Sequence, residues 1–217
     1  MILDSDIANK VAENLLQIKA IKLNTKNPFT WASGLKSPIY CDNRITLSYP
    51  VIRTFIKESL TKAVKKSLAL PDVIAGVATA GIPQGVLIAQ QLELPFIYVR
   101  PDRKSHGMTN IIEGYYKKGQ KVVVVEDLVS TGKSSLLAVD SLREAGMEIM
   151  GMVTVFTYGL EIAEKNFEDK KCSLITLSDY GHLIEQAVKS NYIKENDKET
   201  LMRWRNNPQL WSDKFIS

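Results

Sequence analysis

The chain has 217 residues, 45% of them hydrophobic and 24% charged, with a net charge of +4. That is apolar material for one full α/β core with at most a small appendage, and a positive charge too mild and too scattered for a nucleic-acid surface. The two cysteines, Cys41 and Cys172, lack metal-like spacing, Asp4 and Asp6 precede any apolar run, and no stretch approaches the roughly 20 apolar residues of a membrane span, so a soluble, cytoplasmic protein that binds neither nucleic acid nor membrane is expected.

Residues 4–20 carry Ile7, Val11, Leu15 and Ile18 at helical spacing behind an N-cap at Asp4 or Ser5, which predicts an amphipathic packing helix. Residues 27–44, NPFTWASGLKSPIYCDNR, follow neither the helical nor the strand period. Their Pro, Gly, Ser, Lys and aromatics predict a loop or hairpin that presents specific side chains, with an aromatic-anchored surface turn as the plainer alternative. A second helix is predicted over 48–68, with Pro50 in its first turn and Ile52, Phe55, Ile56, Leu60, Ala63 and Val64 along one side. A strand at 73–77 runs into Ala78-Thr79-Ala80-Gly81, a turn small enough for backbone amides to approach an anion, and a helix follows over 82–92. Another strand is predicted over 95–100. Arg100, Arg103, Lys104 and His106 come next, with Gly107 and Gly114 as hinges and no apolar period. A cationic excursion of that kind between two strands predicts a mobile lid that closes on an anionic leaving group and excludes water. A basic surface hairpin is the plainer alternative.

Residues 121–135, KVVVVEDLVSTGKSS, organise the rest. Four valines in a row are too β-branched for a good helix and apolar on both faces, as in a central parallel strand buried between helix layers. Glu126 and Asp127 end the run at the carboxyl end of the strand, where an open α/β sheet places its ligands. The loop Ser130-Thr131-Gly132-Lys133-Ser134 then supplies hydroxyls and closely spaced amides for a phosphate at the start of a helix over 134–144. Gly132-Lys133-Ser134 also matches the end of a nucleotide-kinase P-loop, but that motif needs a Gly where Asp127 stands. Vicinal carboxylates have another use: they accept hydrogen bonds from the two neighbouring hydroxyls of a ribose while the loop holds its 5-phosphate. Further strands are predicted over 148–158 and 173–178, separated by a helix over 159–167. A polar helical tail from 180 onward is anchored by Trp204, Trp211 and Phe215, which are read as packing.

The segment VVVVEDLVSTGKSS resembles the phosphoribosyl pyrophosphate signature of type I phosphoribosyltransferases. The fold expected from that resemblance is α/β: a mainly parallel twisted sheet flanked by helices, with an N-terminal hood and a mobile catalytic loop. One domain over 1–217 is expected, with helix and base-recognition cap in 1–48, core sheet in 70–180 and C-terminal helices from 181. Phe29, Thr30, Ser33, Gly34, Ser37 and Pro38 match the cap signature of orotate phosphoribosyltransferases, and the Ala78–Gly81 turn resembles the family's pyrophosphate loop. The resemblance implies orotate contacts from Ser130, Lys36, Tyr40 and Cys41. It implies contacts to phosphoribosyl pyrophosphate from Arg100, Lys104, His106, Glu126, Asp127, Leu128, Val129, Ser130, Thr131, Gly132, Lys133 and Ser134, with Lys104, His106 and Asp127 as the catalytic groups.

Three departures from the family pattern stand out. In the lid, Pro101 holds the place where several relatives have a second Lys, so that one phosphate contact is lost or supplied by Arg103. Ala32 occupies the place of a common Lys, with Lys36 four residues on. TVFTYG, at the end of the strand over 148–158, lacks an Arg that pairs with the base carboxylate in some relatives, leaving Ser130 and amides of the cap as substitutes. Family likeness further implies Mg²⁺ held mainly by substrate oxygens rather than by the protein, and a homodimer whose lid reaches into the neighbouring site. A transferase for another nucleobase, or a non-catalytic sensor of phosphoribosyl pyrophosphate, are the alternatives. The cap segment argues against the first, and the intact lid residues against the second.

Overall fold

The structure, a computed structural model, describes residues 1–31, 33–101 and 111–215. The N-terminal amphipathic stretch forms α1 (Ser5–Gln17), where the Asp4 carboxylate accepts from the amides of Asp6 and Ile7 and so caps two otherwise unpaired donors. Residues 21–41 lack a single period because they fold as four short strands. β1 (Ile21–Leu23) pairs antiparallel with β4 (Ile39–Cys41), and β2 (Phe29–Thr30) pairs with β3 (Lys36–Ser37) in a hairpin between them. A 3₁₀ stretch, Asn43–Ser48, turns the chain into α2 (Pro50–Ser67), which therefore starts later than its apolar pattern suggested.

β5 (Val73–Val77), α3 (Gly81–Leu92), β6 (Phe96–Val99) and β7 (Ile112–Glu113) build one half of the main sheet. The other half comes from β8 (Lys121–Val129), α4 (Lys133–Glu144), β9 (Glu148–Thr157), α5 (Glu161–Asp169) and β10 (Leu174–Asp179). Three helices follow: α6 (Tyr180–Lys189), α7 (Glu195–Asn206) and α8 (Pro208–Asp213). The sheet order is β10-β9-β8-β5-β6-β7, parallel except for the edge strand β7. This is the expected α/β architecture.

The valine run explains the layering. Val123 and Val125 belong to a core with α1, α2, α3, α6 and the C-terminal helices, whereas Val122 and Val124 belong to a second core with α4 and α5. All four are fully buried, each contributing about 1.5–3 kcal/mol relative to exposure. A strand apolar on both faces is stable only between two such layers.

Sheet order also fixes the site. From β5 the chain steps outward to β6, and it returns on the other side of β5 as β8, so the strand order reverses between β5 and β8. Ligand crevices of open α/β sheets lie outside the carboxyl ends at that switch point.

Two details differ from expectation. β8 does not end at the acidic pair but continues to Val129, because β9 carries its ladder on through Glu126↔Thr154, Leu128↔Phe156 and Val129↔Thr157. Pairing with β5 stops at Gly76↔Val125, so the last four residues of β8 are held from one side only. The cationic excursion after β6 is also shorter than predicted, since Ile112 and Glu113 return as β7 against Tyr98 and Val99, with Ile112 buried.

Candidate active site

The two halves of the switch point press closely together. A Cβ on Gly81 would lie 2.3 Å from the Val125 carbonyl oxygen and 3.3 Å from Glu126 Cα. Only a residue without Cβ lets the start of α3, and the turn 78–81 before it, sit against the central strand. The peptide between Ala78 and Thr79 is cis. Beside this turn, Arg100 at the end of β6 lines a small cleft of about 90 Å³ together with Ala78 and Ser134. Its guanidinium lies 3.5 Å from a Glu113 carboxylate oxygen.

Glu126 is buried, Asp127 half-buried. One Glu126 carboxylate oxygen accepts from the Ser135 hydroxyl at 3.0 Å and the other from the Asp127 amide at 3.0 Å. Burial, and then the neighbouring Asp127 charge, push the Glu126 carboxyl up to about 8. Burial also raises Asp127, opposed in part by its hydrogen bonds with the Glu126 carboxyl and the Leu128 amide and then by the Arg44 guanidinium. Two adjacent carboxyls in a poorly solvated crevice hold a proton between them near neutrality.

That proton has a stability consequence. The folded-state pKa of Glu126 lies above its ordinary value of 4.5, so between about pH 4.5 and 8 the native state binds more protons than the unfolded chain, and stability falls as pH rises. Glu126→Gln removes the titration. In thermal unfolding followed by circular dichroism, the variant's Tm is expected to gain on the wild type steadily from about pH 5 to pH 8. A constant gap across that range would show that Glu126 is ionised throughout.

Behind the acids comes the loop 130–134. Gly132 has φ +76, and a Cβ there would lie 2.6 Å from the Phe167 ring. The Thr131 carbonyl is fixed by the Asn166 side-chain amide at 2.9 Å. No side chain caps the start of α4, and its first amides have no intrahelical partner, the arrangement that receives a phosphate at a helix N-terminus. Lys133 and Ser134 are exposed there.

A second pocket, about 260 Å³, adjoins the acids and is lined by Thr30, Trp31, Tyr40, Cys41, Leu128, Ser130 and Tyr158. Its walls are aromatic: Trp31 stacks on Tyr158 at 5.1 Å between ring centroids, and Phe29 lies 5.7 Å from Tyr40. Trp204 stands edge-on behind both Trp31 and Tyr158, so the packing expected of it supports this pocket. Burial raises the Tyr158 hydroxyl and the Cys41 thiol well above their ordinary values, and both stay neutral. The buried Asn43 ties this side to the acids, donating to the Asp127 carbonyl at 2.7 Å while accepting from Cys41 Sγ at 3.2 Å. Flat apolar walls with a few polar atoms suit a heteroaromatic ring.

The structure thus brings together Glu126, Asp127, Leu128, Ser130, Tyr40 and Cys41, with Val129 buried beneath them. Lys36 reaches the pocket indirectly, its ammonium donating to Thr30 Oγ1 at 2.9 Å. Lys104 and His106, along with Arg103, Gly107 and Ala32, lie outside the described residues. Trp31 and Tyr158 were not singled out in the sequence. The signal for Tyr158 was its place at the carboxyl end of a core strand, and for Trp31 its place in the irregular cap segment.

A doubly covered parallel sheet, with an acidic pair and a phosphate loop at its switch point, defines a type I phosphoribosyltransferase. A model of the phosphoribosyl transferase domain matches residues 51–190. The chain is 54% identical to orotate phosphoribosyltransferase of Cytophaga hutchinsonii, covering 93% of this chain and 97% of that one. It is 52% identical to the Listeria innocua protein of the same name, covering 94% and 98%. Among solved structures, orotate phosphoribosyltransferase from Aeropyrum pernix superposes with a TM-score of 0.74 at 28% identity, covering 84% of this chain and 99% of that one. The chain belongs to the phosphoribosyl transferase family and, within it, to the orotate phosphoribosyltransferases.

Proposed function

We propose that the chain transfers the 5-phosphoribosyl group from phosphoribosyl pyrophosphate to orotate, giving orotidine 5′-monophosphate and pyrophosphate in pyrimidine biosynthesis. The observation that carries this reading is the position of Ser130, which lines the aromatic pocket and opens the phosphate loop. One ligand face is thereby continuous from a flat ring, past a sugar, to a phosphate. Residues 130–134 and the start of α4 take the 5-phosphate, while Glu126 and Asp127 face the ribose hydroxyls and offset the positive charge that grows on the sugar ring as the leaving group departs. Orotate approaches with its N1 anionic or nearly so, and the reaction rests on positioning and charge rather than on a dedicated base. Tyr40, Cys41, Lys36 and Ser130 hold the base.

Arg100 and the 78–81 turn face the pyrophosphate, joined by Lys104 and His106, whose part is read from the sequence. Among the described residues, no group of three acidic, His or Cys side chains could hold a metal ion. Mg²⁺ would be held mainly by substrate oxygens, with the carboxylate pair beside them as the available protein donors. Bound that way, Mg²⁺ supplies charge neutralisation for the leaving pyrophosphate. No helix among the described residues is long and apolar enough to cross a membrane. We further propose that the protein works in the cytoplasm as one domain per chain and as a homodimer.

The test is a spectrophotometric assay of purified protein with phosphoribosyl pyrophosphate and Mg²⁺, following loss of orotate absorbance, with uracil, adenine and hypoxanthine in parallel. Turnover of orotate alone is expected, with Lys104→Ala lowering kcat by about a hundredfold or more. Turnover of a different base only would overturn the orotate assignment and leave the phosphate site standing. Tight donor binding without turnover of any base would point to a sensor.

A further inference from the structure

Orotate carries an anionic carboxylate on its ring, yet the seven side chains that line the aromatic pocket include no cation. The guanidinium of Arg205, on α7, lies beside it. Its Nε donates to the Gly159 carbonyl at 3.1 Å, directly after Tyr158 of the pocket wall. Gly159 has φ +59, and a Cβ there would lie 3.4 Å from Arg205 Nη2 and 3.6 Å from its Nε. The guanidinium therefore lies in van der Waals range of Gly159, two residues past the end of β9.

Arg205 also lines a groove of about 510 Å³ that shares Trp31 and Ser130 with the aromatic pocket. It is half-buried, and no acidic side chain among the described residues, Glu161 of the same groove included, comes within ion-pair distance. With Nε engaged, the two terminal nitrogens remain as a fork of donors, the geometry that matches a carboxylate in two parallel hydrogen bonds. A half-buried cation lacking a protein counterion is the complement of a ligand anion.

Building on the orotate reading above, we propose that Arg205 is the specificity-determining cation for the base, pairing with the orotate carboxylate at the mouth of the aromatic pocket. The C-terminal helix thereby contributes to recognition as well as to packing. Lys36, bonded to Thr30, is the competing cation.

Steady-state kinetics of Arg205→Gln, Arg205→Lys and Lys36→Ala separate the possibilities. Gln keeps a donor for the Gly159 carbonyl and removes the charge. Arg205→Gln is expected to raise KM for orotate at least about tenfold, with KM for phosphoribosyl pyrophosphate within twofold of wild type. It is also expected to narrow the preference for orotate over uracil, while Arg205→Lys recovers part of the loss. An unchanged orotate KM in Arg205→Gln, or equal rises in both KM values, would overturn the inference, the second by assigning Arg205 a purely structural part. A selective orotate defect in Lys36→Ala alone would transfer the role to Lys36. In all three outcomes the wild type still turns over orotate, whereas a wild type inactive on orotate would defeat the function reading itself.

Discussion

Asp127→Asn is expected to lower kcat/KM for phosphoribosyl transfer by about 10²–10³-fold, while leaving the fold intact. The substitution is nearly isosteric, and the backbone contact that positions residue 127, the hydrogen bond from Asn43 to its carbonyl, does not involve the side chain. What is lost is a negative charge beside the sugar ring, in a crevice where Glu126 is already held toward its neutral form. The pair together carries the negative charge beside the sugar, and Asp127 is its less buried member. An amide keeps the size and one acceptor but cannot offset charge growing at the ring carbon. Because buried charges on neighbouring carboxyls repel, the variant's Tm is expected to equal or exceed that of the wild type. Orotate binding, measured by fluorescence of the tryptophans around the pocket, is expected to change little. A kcat/KM within fivefold of wild type would remove Asp127 from the chemistry.

Gly81→Ala is expected to damage stability and activity together. The added carbon would meet the Val125 carbonyl oxygen at 2.3 Å, and that atom is the backbone of a strand paired on both sides, so neither partner can turn aside. The start of α3 must retreat from β8, which costs about 3 kcal/mol or more. For a chain of this size that corresponds to a fall in Tm of about 6–12 °C. The retreat also moves the turn 78–81 away from the acids, and a displacement near 1 Å at a reacting centre costs about 10²-fold in rate. Calorimetry and kcat measured well below the lowered Tm separate the two effects. A variant with wild-type Tm would show that the two halves of the switch point are not in the close contact described.

Much of this was legible because it is local. The valine run, the acids and the phosphate loop occupy adjacent residues, and the backbone converts that adjacency directly into a strand, a crevice and a helix start. The extension of β8 through Glu126 and Asp127 was hidden because carboxylates disfavour strands, and the ladder from β9 overrides that preference. β1, β4 and β7 were hidden by their two or three residues, too few for a period to show. The inner wall of the base pocket was hidden for a different reason. Trp31, Tyr158 and Trp204 meet across more than a hundred residues of sequence, and nothing in the spacing of aromatic residues announces such a meeting. Arg205 was obscured in the same way, inside a polar helix that reads as solvated surface.

One hydrogen bond sets an order of events during synthesis. The amide of Lys36, in the hairpin that carries the cap, donates to the Ser212 hydroxyl of α8 at 2.8 Å, and Trp204 backs the same hairpin. The phosphate side of the site draws on β8, its neighbour β9 and the bracing residues Asn166 and Phe167, all of them synthesised before Ser212. The base side waits for Ser212. At about 5–20 residues per second, a nascent chain spends several seconds with its phosphate loop made and its ring pocket open at the back. A chain stalled in that interval would grip the sugar phosphate without choosing a base.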